Sequence, residues 1–300
     1  MGNLQKRNKL MNIINIGSLN IEHIYHVPDL PQAGQRFYCN HYQRLPGGKG
    51  YYQSIAMARA GATVWHVGFI GPDGKFITKS LKQNNVDVRY THKTEQLTGQ
   101  EHIYLTPAGE STKVRYMGAN GCFEPHFLTS LFKQLSPEQL VLVQNETNDV
   151  PGIFELVKSH NLNLTFHPAP FTEAVLEYPL ELVDTLIFNL RTGQKLSNES
   201  SPEQIMQVLM AKYPNTALIL TLGAQGAWYV DQHQKIKVPG DPVQAIDENQ
   251  AGNTFVGYFL AQRLKRQPIE SCIKIACRAS ALCVTRAGKS ATIPYLTEIK

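Results

Sequence analysis

Leu140-Val141-Leu142-Val143-Gln144, Leu162-Asn163-Leu164-Thr165-Phe166-His167, Thr185-Leu186-Ile187-Phe188 and Ala217-Leu218-Ile219-Leu220-Thr221 are four short, mostly apolar runs separated by amphipathic stretches. A strand that is apolar on both faces has to be covered on both sides, and strands alternating with helices pair in parallel through crossover connections. The rhythm predicts a parallel, doubly wound sheet. Working outward, residues 12–16 read as a buried opening strand that ends at Gly17, and 63–70 as a further strand. Between them, 53–60 is rich in Ala and Met at helical spacing and stops at Gly61, a good C-cap residue.

Two segments break the rhythm. Residues 22–45 are polar and aromatic, punctuated by Pro28, Pro31 and Gly34, as in an exposed hairpin region. Residues 102–106 and 111–117 alternate with period two around Pro107-Ala108-Gly109-Glu110, which predicts a second hairpin joining the first. Together, segments 19–45 and 98–117 are expected to form a small β-sheet lid on the main domain. The chain shows no internal repeat and no low-complexity segment.

Composition limits the function classes. The 300 residues are 42% hydrophobic and 18% charged, which excludes a disordered or fibrous chain. A net charge of +5, evenly spread, is too mild for the basic stripe duplex nucleic acid demands, so no nucleic-acid partner is expected. Small acidic ligands stay open. No apolar run is long enough to span a bilayer, and residues 1–10 are polar and basic, read as a disordered tail with Met11 as an alternative native start. The expected address is cytoplasmic. The five cysteines have no paired spacing, so reduced thiols are expected, with Cys272 and Cys277 packing a helix core.

Two nucleotide motifs are set aside. Gly17-Ser18-Leu19-Asn20 after the first strand is not GxGxxG, and Gly288-Lys289-Ser290 mimics the end of a Walker A loop whose first Gly would fall on Cys283. Two other segments carry more. Pro46-Gly47-Gly48-Lys49-Gly50 sets glycines and a lysine directly before a helix, where backbone amides and the helix dipole favour anionic groups; an ordinary turn with a solvated Lys is the plain alternative. Residues 246–255 run through Gln250-Ala251-Gly252-Asn253 into an apolar helix, again offering unpaired amides.

The pair of motifs, with Gly17-Ser18-Leu19-Asn20, Gln53, Gly118-Ala119-Asn120, Glu146, Pro168-Ala169-Pro170, Thr221-Leu222-Gly223, Gly226 and Val284-Thr285-Arg286 in order, resembles the ribokinase-like (PfkB) carbohydrate kinase family from about Met11 to residue 300. The resemblance implies a three-layer α/β domain with a small β lid and an ATP-dependent phosphotransferase acting on an alcohol group of a sugar. It places the sugar, or a nucleoside, at Asn20, Glu22, Gly48, Lys49 and Glu146. ATP falls to Asn189, Thr221, Gly223 and Gly226, and the anion hole to the amides of Ala251, Gly252 and Asn253. It also implies Mg²⁺ with ATP, a monovalent cation such as K⁺ near Asp247 and the loop from Arg286 to Ser290, and a homodimer through the lid.

The chain departs from that family where chemistry is expected. The family turn reads Gly-Ala-Gly-Asp, whose Asp is the base, and this chain has Gln250-Ala251-Gly252-Asn253. An amide orients a hydroxyl but does not take its proton. The Asn-x-x-Glu element matches Asn189-Leu190-Arg191-Thr192, without its carboxylate, and Glu22 stands for a shorter Asp. Tyr52, preceded by Tyr51, replaces a loop Asn, and the rings either fill the sugar pocket, stack on another ligand or pack the lid. His167 is read as a structural histidine or one facing the cleft, Glu248 as a solvated turn residue and Asp73 as a turn former. Hence two readings stand: a sugar kinase, with strongly reduced activity if the base is not replaced, and a catalytically degenerate kinase serving as a sugar- or nucleotide-binding regulatory module. A NAD-dependent oxidoreductase lacks its glycine fingerprint.

Overall fold

The computed structural model describes residues 12–136 and 139–299; the expected tail 1–10 and Met11 lie outside the described residues. In chain order the elements are β1 (Asn12–Ile16), β2 (Asn20–His26), β3 (His41–Gly47), α1 (Lys49–Arg59), β4 (Thr63–Ile70), α2 (Lys75–Gln83), β5 (Asp87–Lys93), β6 (Gly99–Leu105) and β7 (Ser111–Tyr116). There follow α3 (Pro125–Phe132), β8 (Leu140–Gln144), α4 (Val150–Ser159), β9 (Asn163–His167), β10 (Thr185–Asn189), α5 (Leu190–Ser197), α6 (Pro202–Lys212), β11 (Ala217–Thr221), β12 (Ala227–Val230), β13 (Lys235–Val238), α7 (Ala251–Leu264) and α8 (Ile269–Val284).

Nine strands form the large sheet in the order β13-β12-β11-β10-β9-β8-β1-β4-β5. Every pair from β11 to β5 is parallel, and β12 and β13 close one edge as an antiparallel hairpin. Alternation along each strand feeds two separate cores. Ile13, Val64, Leu142, Ile187 and Ile219 pack under α1, α2, α7 and α8, whereas Ile14, Ile16, Val143, Phe166 and Leu220 pack under α3 to α6. Helices on both faces make the three layers. The expected strands are present; β5 and the β12–β13 hairpin are additional, and the expected 53–60 helix begins earlier, at Lys49.

The strand order reverses between β1 and β8, because the chain winds outward to β4 and β5 on one side and to β8 through β11 on the other. The crevice beyond the carboxyl ends of strands at such a reversal is where open α/β sheets bind ligands. A second, four-stranded sheet, in the order β3-β2-β6-β7, is inserted at that point, immediately after β1 and again after β5. Its β2 pairs antiparallel with β3 and parallel with β6, which joins the two hairpin regions. No helix among the described residues is long and apolar enough to cross a membrane.

Candidate active site

β1 ends at Ile16, and its partner strand β8 ends at Gln144, so Ser18 and Glu146 leave neighbouring strands side by side. Ser18 Oγ donates to Glu146 Oε2 at 2.5 Å, and the backbone amide of Lys49, the first residue of α1, donates to the same oxygen at 2.8 Å. A carboxylate at a helix amino terminus meets both an unpaired N–H and the positive end of the dipole. Gly48 permits this approach: its φ is 100°, and an added Cβ would lie 2.9 Å from Ser18 O. The structure thus brings Gly48, Lys49 and Glu146, three residues that the resemblance gives to the sugar, together at the start of α1.

Glu22 comes from the small sheet. Tyr52 Oη donates to Glu22 Oε1 at 2.9 Å, and the Lys289 ammonium stands 2.9 Å from Oε2. Oε2 has no aligned hydrogen-bond donor, so that pair is held by charge and leaves an acceptor open. Gly47 has no side chain because an added Cβ would sit 2.1 Å from Glu22 Oε1. Tyr51 and Tyr52 are both buried; Tyr51 Oη bonds Ser80 Oγ at 2.7 Å, and burial together with Glu22 raises the Tyr52 phenol well above its usual range. Both rings pack in the large-domain core, and Tyr52 reaches the small sheet through Glu22. Asn20 receives a bond from Asn120 Nδ2 at 2.7 Å, and Asn120 Oδ1 accepts from Leu19 N at 2.9 Å, which ties the Gly118-Ala119-Asn120 segment to the start of β2.

The position expected for the base is joined to the glycine-rich loop. Gln53 Nε2, one turn into α1, donates to Asn253 Oδ1 at 3.1 Å and to His167 Nδ1 at 2.8 Å. Asn253 Nδ2 donates to Gln250 Oε1 at 2.9 Å. Burial and the nearby Lys49 ammonium push His167 down to about 3, so its ring is neutral and accepts at Nδ1. His167 is thus a hydrogen-bonded partner of Gln53 at the strand end, as the structural reading has it. Gln53 Oε1 is buried without a partner, a second open acceptor beside Glu22 Oε2. The two departures from the family turn, Gln250 and Asn253, touch each other.

At the amino terminus of α7, Ala251 N bonds Glu248 O and Thr254 N bonds Gln250 O; among the described residues the amides of Gly252 and Asn253 have no backbone partner. These are the orphan donors of a helix start, here without a side-chain cap. Gly252 is exposed, and Glu248 is exposed as expected of a turn residue.

The residues assigned to nucleotide form their own group. Asn189 and Thr221 are paired at the ends of β10 and β11, and Asn189 Oδ1 caps α5 by accepting from Thr192 N at 2.9 Å. Gly223 and Gly226 turn the chain into β12, with Gly226 N bonded to Gly223 O. Asp247 and Arg286 both border the end of α8: Asp247 N reaches Val284 O, Arg286 N reaches Cys283 O, and the Arg286 guanidinium pairs with Glu298 at 2.6 Å. Among the described residues no hydrogen bond or ion pair joins Asn189, Thr221, Gly223, Gly226, Asp247 or Arg286 to Glu22 or Glu146, but the 286–290 loop itself reaches Glu22 through Lys289.

Three charged residues at the sugar side escaped the sequence reading. Arg115 contacts Glu101, its cross-strand partner, and also Glu146 Oε1 at 3.1 Å. The third, Lys289, lies in the segment set aside as a Walker A mimic. Strand parity was the available signal for the first two, since Glu22, Glu101 and Arg115 fall in one row across β2, β6 and β7.

Residues 11–296 match the model of the pfkB family of carbohydrate kinases. Similar curated proteins include the ribokinase of Staphylococcus aureus, 32% identical over 96% of this chain and 98% of its own length. That of Bacillus subtilis is 30% identical over 97% and 99%. Among solved structures, a Cryptococcus neoformans ribokinase in complex with ADP superposes with TM-score 0.82 at 25% identity, covering 96% of this chain and 98% of that one. A Thermotoga maritima ribokinase, 24% identical, shares the fold at TM-score 0.86 over 96% and 98% of the two chains. With its fold, its strand-order reversal and its ordered motifs in agreement, the chain belongs to the pfkB family of carbohydrate kinases.

Proposed function

We propose that the protein is a ribokinase-type phosphotransferase that moves the terminal phosphoryl group of ATP to an alcohol group of a sugar or nucleoside. The observation that carries this is the Gln53 bridge: one side chain of α1 links the loop holding Glu146 to the turn whose Gly252 and Asn253 amides are unpaired. In this reading Asn20, Glu22, Gly48, Lys49 and Glu146 bind the polyol, and Asn189, Thr221, Gly223 and Gly226 bind the nucleotide. The amides of Ala251, Gly252 and Asn253 neutralise charge that builds on the transferred group. Strands β2, β3, β6 and β7 serve as the lid, and their outer face joins two copies. Five free thiols fit a reducing cytoplasmic setting.

Metal is treated separately. Among the described residues no group of three His, Cys, Asp or Glu side chains could hold an ion, and Thr192 supplies no carboxylate beside Asn189. Mg²⁺ accordingly enters with ATP as part of the substrate rather than in a protein cage. K⁺ would lie near Asp247 and the loop 286–290, with Arg286, already paired to Glu298, shaping that loop.

Asn253 sets the rate. Loss of a general base costs about 10² to 10⁴ in turnover, while positioning and electrostatic stabilisation supply most of the acceleration in phosphoryl transfer. Gln53 Nε2 already donates to Asn253 Oδ1, and Gln250, which accepts from Asn253 Nδ2 through Oε1, can turn its own Nε2 toward a second carboxylate oxygen by an amide flip. Asn253→Asp fits the site with that flip. The test measures ADP release with D-ribose and a panel of aldoses and nucleosides for both forms. We expect slow, sugar-dependent release from the native chain and a rise of about 10² or more in Asn253→Asp. Binding without turnover in the native chain, with turnover only after the substitution, is the outcome of the degenerate regulatory reading. Absence of sugar-dependent release and of sugar binding in both forms overturns the assignment.

A further inference from the structure

We propose that Arg115 and Lys289 are closure residues: two cations that hold the small sheet against the large domain through carboxylates a sugar would engage, and thereby set the affinity of that site. The identity of the ligand rests on the sugar-kinase reading above; the closing contacts do not.

Leu45, Glu22, Glu101 and Arg115 are successive partners across β3, β2, β6 and β7, so they form one row on one face of the small sheet. The row sets two carboxylates side by side, an unfavourable cross-strand arrangement unless cations flank it. A cation stands on each flank. Arg115, from β7, contacts Glu101, and Lys289, from the loop after α8, contacts Glu22. Neutralising the row would require nothing more. Arg115 nevertheless extends to Glu146 Oε1, which belongs to the large domain. One bridge therefore runs from a small-sheet cation to a large-domain carboxylate, and the other from a large-domain cation to a small-sheet carboxylate.

The oxygens involved define the consequence. Glu146 Oε2 is occupied by Ser18 Oγ and Lys49 N, and Arg115 stands against Oε1. Glu22 Oε1 is occupied by Tyr52, and Lys289 stands against Oε2. Each cation covers the oxygen its carboxylate has left for a hydroxyl. Glu22 and Glu146 are only 4% and 7% exposed, so a sugar reaches them by displacing the cations. A site that is competent in a fraction of molecules binds with its intrinsic affinity reduced by that fraction. The two bridges lower the fraction.

The experiment compares the native chain with Arg115→Met, Lys289→Met and the charge-conserving Arg115→Lys and Lys289→Arg. Two readouts are used: hydrogen exchange of β2 and β6 backbone amides without ligand, and D-ribose affinity by calorimetry. We expect faster exchange in both methionine variants and ribose binding tighter by about fivefold in each, the worth of a modest ion pair. The conservative variants should return both readouts toward native values, which a packing role would not do. Raising tetramethylammonium chloride should speed the same amides in the native chain, with no change of sequence. Unchanged exchange in the methionine variants and in salt overturns the proposal, and so does weaker ribose binding alongside faster exchange. If ribose binds no form, exchange alone decides: faster exchange upholds the closure, and the sugar assignment is what fails.

Discussion

A methyl group added at Gly252 would meet nothing within 4 Å, although the residue sits in the first turn of α7. Two effects separate there. Ala is favoured over Gly inside a helix by up to about 1 kcal/mol, so Gly252→Ala should leave the melting temperature unchanged or raise it. The same methyl would stand before the unpaired amides proposed to receive the transferred phosphoryl group, and on that proposal turnover should fall by about tenfold or more, as when a charge-stabilising donor is compromised. Calorimetry and ADP-release assays on one preparation check both; a parallel loss of stability and activity would assign the glycine to folding instead. The neighbouring substitutions show how far single residues could be read. Gln250 and Asn253 were each visible as departures, and their spacing is that of a helix cap and its third residue, which commonly bond each other. Their contact was thus open to inference, whereas the Gln53 bridge, two hundred positions away, depends on helix packing that no local spacing reports.

At the scale of elements, the small sheet has two unlike faces. Its inner row carries the site carboxylates, while His23, Tyr25, Tyr42, His102 and Tyr104 stack on the other, with ring centroids 4.6 Å apart for His23–His102 and 5.5 Å for Tyr25–Tyr104. Tyr42 is 48% exposed, and Val114, next in the row beyond His102, is 57% exposed. Aromatic faces of this kind suit a second copy better than water. The chain should sediment as a dimer at micromolar concentration, and Tyr25→Asp should shift it to monomer; a native chain that sediments as a monomer removes the outer face as an interface. Period-two alternation announced the second hairpin, and Pro28, Pro31 and Gly34 marked the first. It did not say that β2 and β6 pair in parallel, because pairing between distant segments is fixed by their common attachment to the large sheet at Ser18 and Thr98 rather than by either strand alone.

Across the whole molecule, the doubly wound core was legible because continuous apolar strands leave few other architectures. Its interior polar chain was not. Gln144 Nε2 donates to Asn15 Oδ1 at 2.7 Å, Asn15 Nδ2 donates to Ser54 Oγ and Gly50 O at 2.8 Å, and Ser54 Oγ bonds His66 Nδ1 at 2.9 Å. The chain threads from β8 through β1 and α1 to β4, pinning the glycine-rich loop to the sheet. His66 is fully buried, and burial pushes it from 6.5 down to about 3. The unfolded chain therefore takes up a proton near pH 6.5 that the folded chain refuses until about pH 3, so stability falls as pH drops through that window. A single such group contributes at most about 2 kcal/mol of loss between pH 7 and pH 5. His167, also pushed down to about 3, acts in the same sense. In His66→Gln the side chain can still bond Ser54 but no longer titrates. Urea unfolding at the two pH values should show a drop for the native chain that is larger than the variant's by up to that amount. Equal drops would mean that His66 is not held neutral in the folded protein, and that the pinning of the loop to the sheet is looser than its hydrogen bonds imply.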